Sequence, residues 1–149
     1  MSLKCPRDGN ELQPGHEHGV PVAECPTCHG GWYDLHALEE LESTATQDPE
    51  ARLGTIEFLE TEDTLKCPSC GKDMQTFDYR AHDLQLDACD EEHGFWLDAG
   101  KSERVRQIMQ QRTADVHRAD AADLKWNRER EAGFKGGVID RLRSLFRGR

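Results

Sequence analysis

A chain of 149 residues that is 36% hydrophobic and 32% charged, with a mean hydropathy of −0.83, is too polar for one large buried core. Its length fits one ordinary domain or two very small ones with extensions, and a segment of about forty residues needs a disulfide, a metal or a partner to fold. No run approaches the roughly 18 apolar residues of a membrane span, and Met1-Ser2-Leu3-Lys4-Cys5 lacks an apolar signal-peptide core, so a reducing, cytoplasmic setting is expected. In that setting six cysteines read as metal ligands rather than as three disulfides.

In chain order, the residues organise into two copies of one unit. The first opens with Cys5-Pro6-Arg7-Asp8-Gly9 and the second with Cys67-Pro68-Ser69-Cys70-Gly71, an offset of 62. After a two-residue insertion the match resumes at an offset of 64: Val20, Val22 and Cys25 fall on Leu84, Leu86 and Cys89. His29-Gly30, Trp32 and Asp34 then fall on His93-Gly94, Trp96 and Asp98. Each copy predicts a Cys-Pro turn, two short strands, a second turn and a helix. Val20/Val22 and Leu84/Leu86 alternate as half-buried strands do, and Met74 to Tyr79 has the composition of a partner strand. Asp34 and Asp98 are placed to cap helices beginning near Leu35 and Ala99.

The remainder is simpler. Residues 1–42 and 65–105 form the two copies, and 43–64 read as an acidic linker with a helical turn after Pro49. Residues 106–132 are good helix formers with few apolar positions, supported by pairs such as Asp115–Arg118 and Lys125–Glu129. Gly133, Gly136 and Gly137 end that helix. In the tail up to Arg149, Val138, Ile139, Leu142, Leu145 and Phe146 make an apolar stripe among arginines. Such a segment suits an anionic membrane surface, a partner's groove, or the protein's own acidic part.

The cysteine spacing carries the chemistry. Cys67 and Cys70 form one knuckle; after 18 intervening residues comes Cys89, with His93 four positions on. A Cys-x-x-Cys turn aims two thiolates at one point, and a β-hairpin returns the chain with a second pair to complete a tetrahedron suited to Zn²⁺. Glu92 occupies the position of Cys28, so His93 and Glu92 compete as fourth ligand. His93 is favoured because imidazole suits zinc better in a thiolate-rich site. In the first copy Cys5, Asp8, Cys25 and Cys28 make a Cys₃Asp set, with His16, His18 and His29 as alternatives for the fourth position. His16 and His18 fit an exposed hairpin turn beside Gly15 and Gly19. The expected fold is a small metal-stabilised α+β structure: two tandem zinc ribbons, two Zn²⁺ per chain, and a long C-terminal helix. Trp32 and Trp96 are expected to pack over the metal sites rather than stack nucleobases.

Cys25-Pro-Thr-Cys-His-Gly-Gly-Trp-Tyr-Asp34 and His93-Gly-Phe-Trp-Leu-Asp-Ala-Gly100 resemble the transcription-factor-IIB-type zinc ribbon family of bacterial proteins. The resemblance covers residues 3–42 and 65–105. It implies a zinc-bound ribbon and a nucleic-acid-binding label that rests on analogy. The chain departs from the family pattern at Asp8 and at Glu92-His93.

Charge argues against that label for the first part of the chain. Residues 1–100 hold 22 Asp+Glu against 6 Lys+Arg, whereas residues 101–149 hold 7 against 13. Nucleic-acid affinity rests on neutralising phosphates, so DNA or RNA would have to bind through 101–149. A protein partner is therefore ranked first, nucleic acid through 101–149 second, and peripheral anionic membrane contact through 138–149 is a further option. No small-molecule substrate is expected. Neither copy shows a Ser/His/Asp set or a phosphate loop, so a zinc-dependent enzyme ranks last; the expected role is a non-enzymatic interaction or regulatory module with structural zinc.

Overall fold

The alternation in Val20–Glu24 and Gln85–Ala88 produces strands where it predicts them, and each lies in a hairpin. A computed structural model describes residues 2–52, 57–59 and 61–136, divided into two units, Met1–Thr113 and Ala114–Arg149. In the first unit, β1 (Gln13–Glu17), β2 (Val20–Glu24) and β3 (Gly31–Tyr33) precede α1 (Leu35–Ala45). They are followed by β4 (Glu57–Leu59), β5 (Gln75–Asp78), a 3-10 turn (Tyr79–Ala81), β6 (Gln85–Ala88) and β7 (Phe95–Leu97). The first hairpin turns on His18 and Gly19, both at positive φ (51° and 81°), the geometry whose twist matches antiparallel strands.

The two ribbons do not sit side by side as separate beads. β3 pairs antiparallel with β7, matching Gly31 with Leu97, Trp32 with Trp96 and Tyr33 with Phe95. The result is one seven-stranded sheet in the order β1-β2-β3-β7-β6-β5-β4. The two central strands are equivalent segments of the repeat meeting at Trp32 and Trp96, so the sheet is arranged as a pseudo-twofold. Its alternation separates two cores. Tyr33, Phe77, Leu86 and Leu97 pack with Leu38 and Leu41 of α1 and with Val105, Ile108 and Met109. Trp32, Trp96, Leu12 and Met74 pack with Cys5, Cys25, Cys67 and Cys89. Helices thus cover one set of side chains and the knuckles cover the other, which is how a polar chain of this size buries a sheet on both faces.

Several expectations need correction. The 43–64 segment is more than a linker. α1 reaches Ala45, Pro49–Arg52 forms a turn, and β4 adds a strand that pairs with β5 from Glu57↔Asp78 to Leu59↔Thr76. Short apolar runs of three residues carry too little periodicity to be seen in advance. The boundary drawn at 105–106 falls inside one helix, α2 (Lys101–Gly136), whose first turns belong to the ribbon core. Gly133 does not end α2, because an isolated glycine costs a helix only about 1 kcal/mol.

Among the described residues of the second unit, α2 is solvated. Arg118 pairs with Asp115, and Lys125 Nζ lies 3.9 Å from Glu129, as the spacing predicts. Leu124 and Trp126 are exposed. The amphipathic stripe at 138–149 lies outside the described residues. No helix among the described residues is long and apolar enough to cross a membrane.

Candidate metal centres

Each N-terminal knuckle is built by the same backbone bonds. Gly9 N–H donates to the Cys5 carbonyl at 2.9 Å, and Gly71 N–H to the Cys67 carbonyl at 2.8 Å. Both glycines sit at positive φ (74° and 76°), a conformation in which a Cβ is strained. Cys5 N–H bonds the Asn10 carbonyl and Cys67 N–H the Lys72 carbonyl, closing each loop. Amides then point at sulfur: Arg7 N–H lies 3.4 Å from Cys5 Sγ, Ser69 N–H 3.3 Å from Cys67 Sγ, and Cys28 N–H 3.5 Å from Cys25 Sγ.

Two four-residue clusters result, Cys5, Asp8, Cys25, Cys28 and Cys67, Cys70, Cys89, His93, with donor atoms within 4.8 Å of one another in each. In the first, Cys5 Sγ is 3.6 Å from Cys28 Sγ and Cys25 Sγ is 3.2 Å from Asp8 Oδ2. In the second, Cys70 Sγ is 3.6 Å from Cys89 Sγ, which lies 3.5 Å from His93 Nδ1. A tetrahedron of thiolates around Zn²⁺ has edges of about 3.8 Å, so these spacings fit. All six cysteines are free thiols, and the two Cys-rich clusters fit two zinc sites.

The clusters share one pattern of burial. Cys5 and Cys25, like Cys67 and Cys89, are buried in the tryptophan core, whereas Asp8, Cys70 and His93 are exposed and Cys28 is half-buried. The departures from cysteine therefore occur at corners facing water, where a well-hydrated carboxylate or imidazole costs little. Burial pushes the Cys5 thiol up to about 12 and Cys67 up to about 11, so neutral sulfur is the stable form there without a cation. At exposed Cys70 the Lys72 amide, with help from His93, holds the thiol down at about 7. The Asn10 N–H donates to Asp8 at 3.0 Å and lowers its pKa, leaving the anion a ligand needs.

The competition between Glu92 and His93 has a local geometric basis. In the first ribbon the turn after Cys25 closes when His29 N–H donates to the Cys25 carbonyl at 3.1 Å, with His29 at φ 60°. In the second it closes one residue sooner, Glu92 N–H to the Cys89 carbonyl at 3.0 Å, with Glu92 at φ 59°. The shift brings His93 to the cluster and leaves Glu92 outside it. His16, His18 and His29 likewise stand outside the first cluster, and His18 instead faces Glu103 at 3.3 Å.

Around the metal centres the ribbons lock together. Trp32 and Trp96 are buried as core, not presented as a stacking surface. A Cβ on Gly30 would overlap the Trp96 indole, and one on Gly94 would overlap the Tyr33 carbonyl and come within 3.1 Å of Trp32. Each tryptophan thus lies across the glycine of the opposite copy. Asp34 caps α1 as expected, accepting from Ala37 N–H at 2.7 Å. Asp98 does not cap with its side chain. Its carboxylate takes the Arg7 guanidinium from the first ribbon (Nη2–Oδ2 2.8 Å), the Trp96 indole N–H at 3.0 Å and Lys101 at 3.2 Å. Burial alone would raise its pKa, but Arg7 and the other donors hold it down at about 2. A second clamp joins α1 to the 3-10 turn: buried Glu42 accepts from Tyr79 and from Arg80 Nη2 at 2.9 Å. Neither clamp is readable from local pattern, since its members lie 91 and 38 residues apart.

Neither the curated proteins nor the solved structures compared with this chain yield a match. The family model described as transcription factor zinc-finger, of the IIB zinc ribbon type, matches residues 4–44 and again 66–107. The two matched stretches are the two knuckle–hairpin–knuckle units just described and together exceed half of the chain, so this protein belongs to the transcription-factor-IIB-type zinc ribbon family.

Proposed function

We propose that the chain is a non-enzymatic interaction module of regulatory type. In this reading Cys5, Asp8, Cys25 and Cys28 hold one structural Zn²⁺, and Cys67, Cys70, Cys89 and His93 hold the other. The observation that carries the reading is the membership of Cys5, Cys25, Cys67 and Cys89 in the same core as both tryptophans. A cation bound there cross-links the knuckles and becomes part of the packing. Four donors also complete a zinc shell, whereas a catalytic zinc keeps a position for water. Zinc ribbons are typically non-catalytic, in keeping with this.

A protein is the favoured partner because the acidic excess lies within residues 1–100. Nucleic acid is the second reading, favoured by the 13 basic against 7 acidic residues of 101–149. Zinc-loaded full-length protein and a truncation after Thr113 are to be compared for duplex DNA binding across a salt series. The expected result is no retention of DNA by the truncation and at most weak, steeply salt-dependent retention by the full chain. Tight, sequence-selective DNA binding by either would reject the protein-partner reading.

A further inference from the structure

The repeat allows the two ligand sets to be compared corner by corner. Cys5 corresponds to Cys67, Asp8 to Cys70 and Cys25 to Cys89, while the fourth donor is Cys28 in one ribbon and His93 in the other. Of the six cysteines Cys70 is the exposed one; Cys28 is half-buried and the other four are buried. The edge joining the knuckles at that corner also differs between the sites. In the second it runs between two sulfurs, Cys70 Sγ and Cys89 Sγ, 3.6 Å apart. In the first it runs from Asp8 Oδ2 to Cys25 Sγ at 3.2 Å, and a carboxylate forms no disulfide.

Exposure and pairing together decide how a thiolate meets an oxidant. Zinc ligation holds sulfur as thiolate, the nucleophilic form of cysteine. Access selects which thiolate reacts first, and a neighbouring thiolate converts the product to a disulfide. Cys28 has a neighbour, Cys5 at 3.6 Å, but part of its surface is covered. Cys70 has both features and lies in the exposed run from Ser69 to Asp73, free to close on Cys89 to the roughly 2 Å of a disulfide.

We propose that the second metal site is a peroxide-sensitive switch in which Cys70 is oxidised first and Cys89 closes the disulfide. This rests on the structural-zinc reading above and adds how one of those sites is opened. The Cys70 thiolate attacks one oxygen of hydrogen peroxide; the O–O bond breaks, a sulfenic acid forms and hydroxide leaves. The Cys89 thiolate then attacks the sulfenic sulfur, the S–S bond forms and a second hydroxide leaves. Two sulfurs supply the two electrons that reduce the peroxide. Two of the four donors are thereby withdrawn, and the remaining pair, Cys67 and His93, does not complete a zinc shell.

The test starts from full-length protein whose bound zinc is counted by native mass spectrometry. Hydrogen peroxide is added at one equivalent, released zinc is read with a colorimetric indicator, and the alkylated protein is mapped by peptide mass spectrometry. A Cys70–Cys89 disulfide is expected as the first oxidised species, with at least one Zn²⁺ released for each. Cys70→Asp gives the second site the corner that the first already has, and peroxide-driven zinc release should slow about tenfold or more. Asp8→Cys does the reverse and should add a disulfide between position 8 and Cys25; it decides the outcome if Cys70→Asp fails to hold two zinc ions. A first disulfide at Cys5–Cys28 or Cys67–Cys70, an unchanged release rate in zinc-loaded Cys70→Asp, or no added disulfide in Asp8→Cys would overturn the switch and leave the zinc reading standing. Fewer than two zinc ions before peroxide is added would reject the zinc reading and the switch with it.

Discussion

Gly30 has no room for a side chain, because the indole of Trp96 lies where a Cβ would stand. Gly94 is more constrained still, since the Tyr33 carbonyl is backbone and cannot rotate away. Gly30→Ala should therefore destabilise the zinc-loaded protein by about 1–3 kcal/mol, as overpacking does, and Gly94→Ala by more. Thermal unfolding with zinc present checks this; equal and negligible effects would mean that the tryptophans are not wedged across the opposite ribbon. The glycine and tryptophan of each copy were legible in the sequence as repeat positions, and the tryptophans as core. That each one's partner belongs to the other copy was not, because periodicity identifies a buried face and not the long-range contact that buries it.

At the scale of elements, equivalent residues serve different ends. Asp34 and Asp98 occupy the same repeat position, yet one caps a helix and the other receives Arg7. Asp34→Ala should cost about 1 kcal/mol through loss of the bond to Ala37 N–H, an effect nearly independent of salt. Asp98→Asn should also cost about 1 kcal/mol, a figure kept low because Arg7 is half exposed. Its effect should shrink at high salt. The sign of its pH dependence follows from a folded pKa of about 2, below the ordinary carboxylate value. Such a group stabilises the fold fully above the unfolded pKa and loses that contribution only as pH falls through about 2. The difference between wild type and Asp98→Asn should hence stay constant from neutral pH to about pH 5. A difference that collapses within that range would mean that Arg7 does not hold Asp98 in solution. Hairpins, knuckles and the Asp34 cap were legible because each is specified within a few residues, whereas the expected Asp98 cap was not realised because its carboxylate is taken by Arg7 from the other ribbon; the Arg7–Asp98 and Glu42–Arg80 clamps join ribbons and leave no local pattern.

The whole first unit should respond to metal as one body. β3–β7 pairing, the exchanged tryptophans and the two clamps all cross between ribbons, and each core draws residues from both. Sequence division into 1–42 and 65–105 locates the ligand sets but conceals this union, because two short strands meeting at a pseudo-twofold carry no signal in either alone. Loss of one zinc should therefore undermine the other site. Ligand chemistry sets the order: the carboxylate of Asp8 is a harder ligand than thiolate and sits at a corner open to solvent, so the first site should yield to a chelator first. Unfolding of the first ribbon then strips cover from Trp96 and the second site follows. Native mass spectrometry during chelation should show two-zinc and zinc-free protein with little of the one-zinc form. Asp8→Cys should slow the departure of both ions, although it alters only one site. A persistent one-zinc species whose second-ribbon amides stay folded, or an Asp8→Cys effect confined to a single ion, would show that the ribbons share a sheet without sharing their stability.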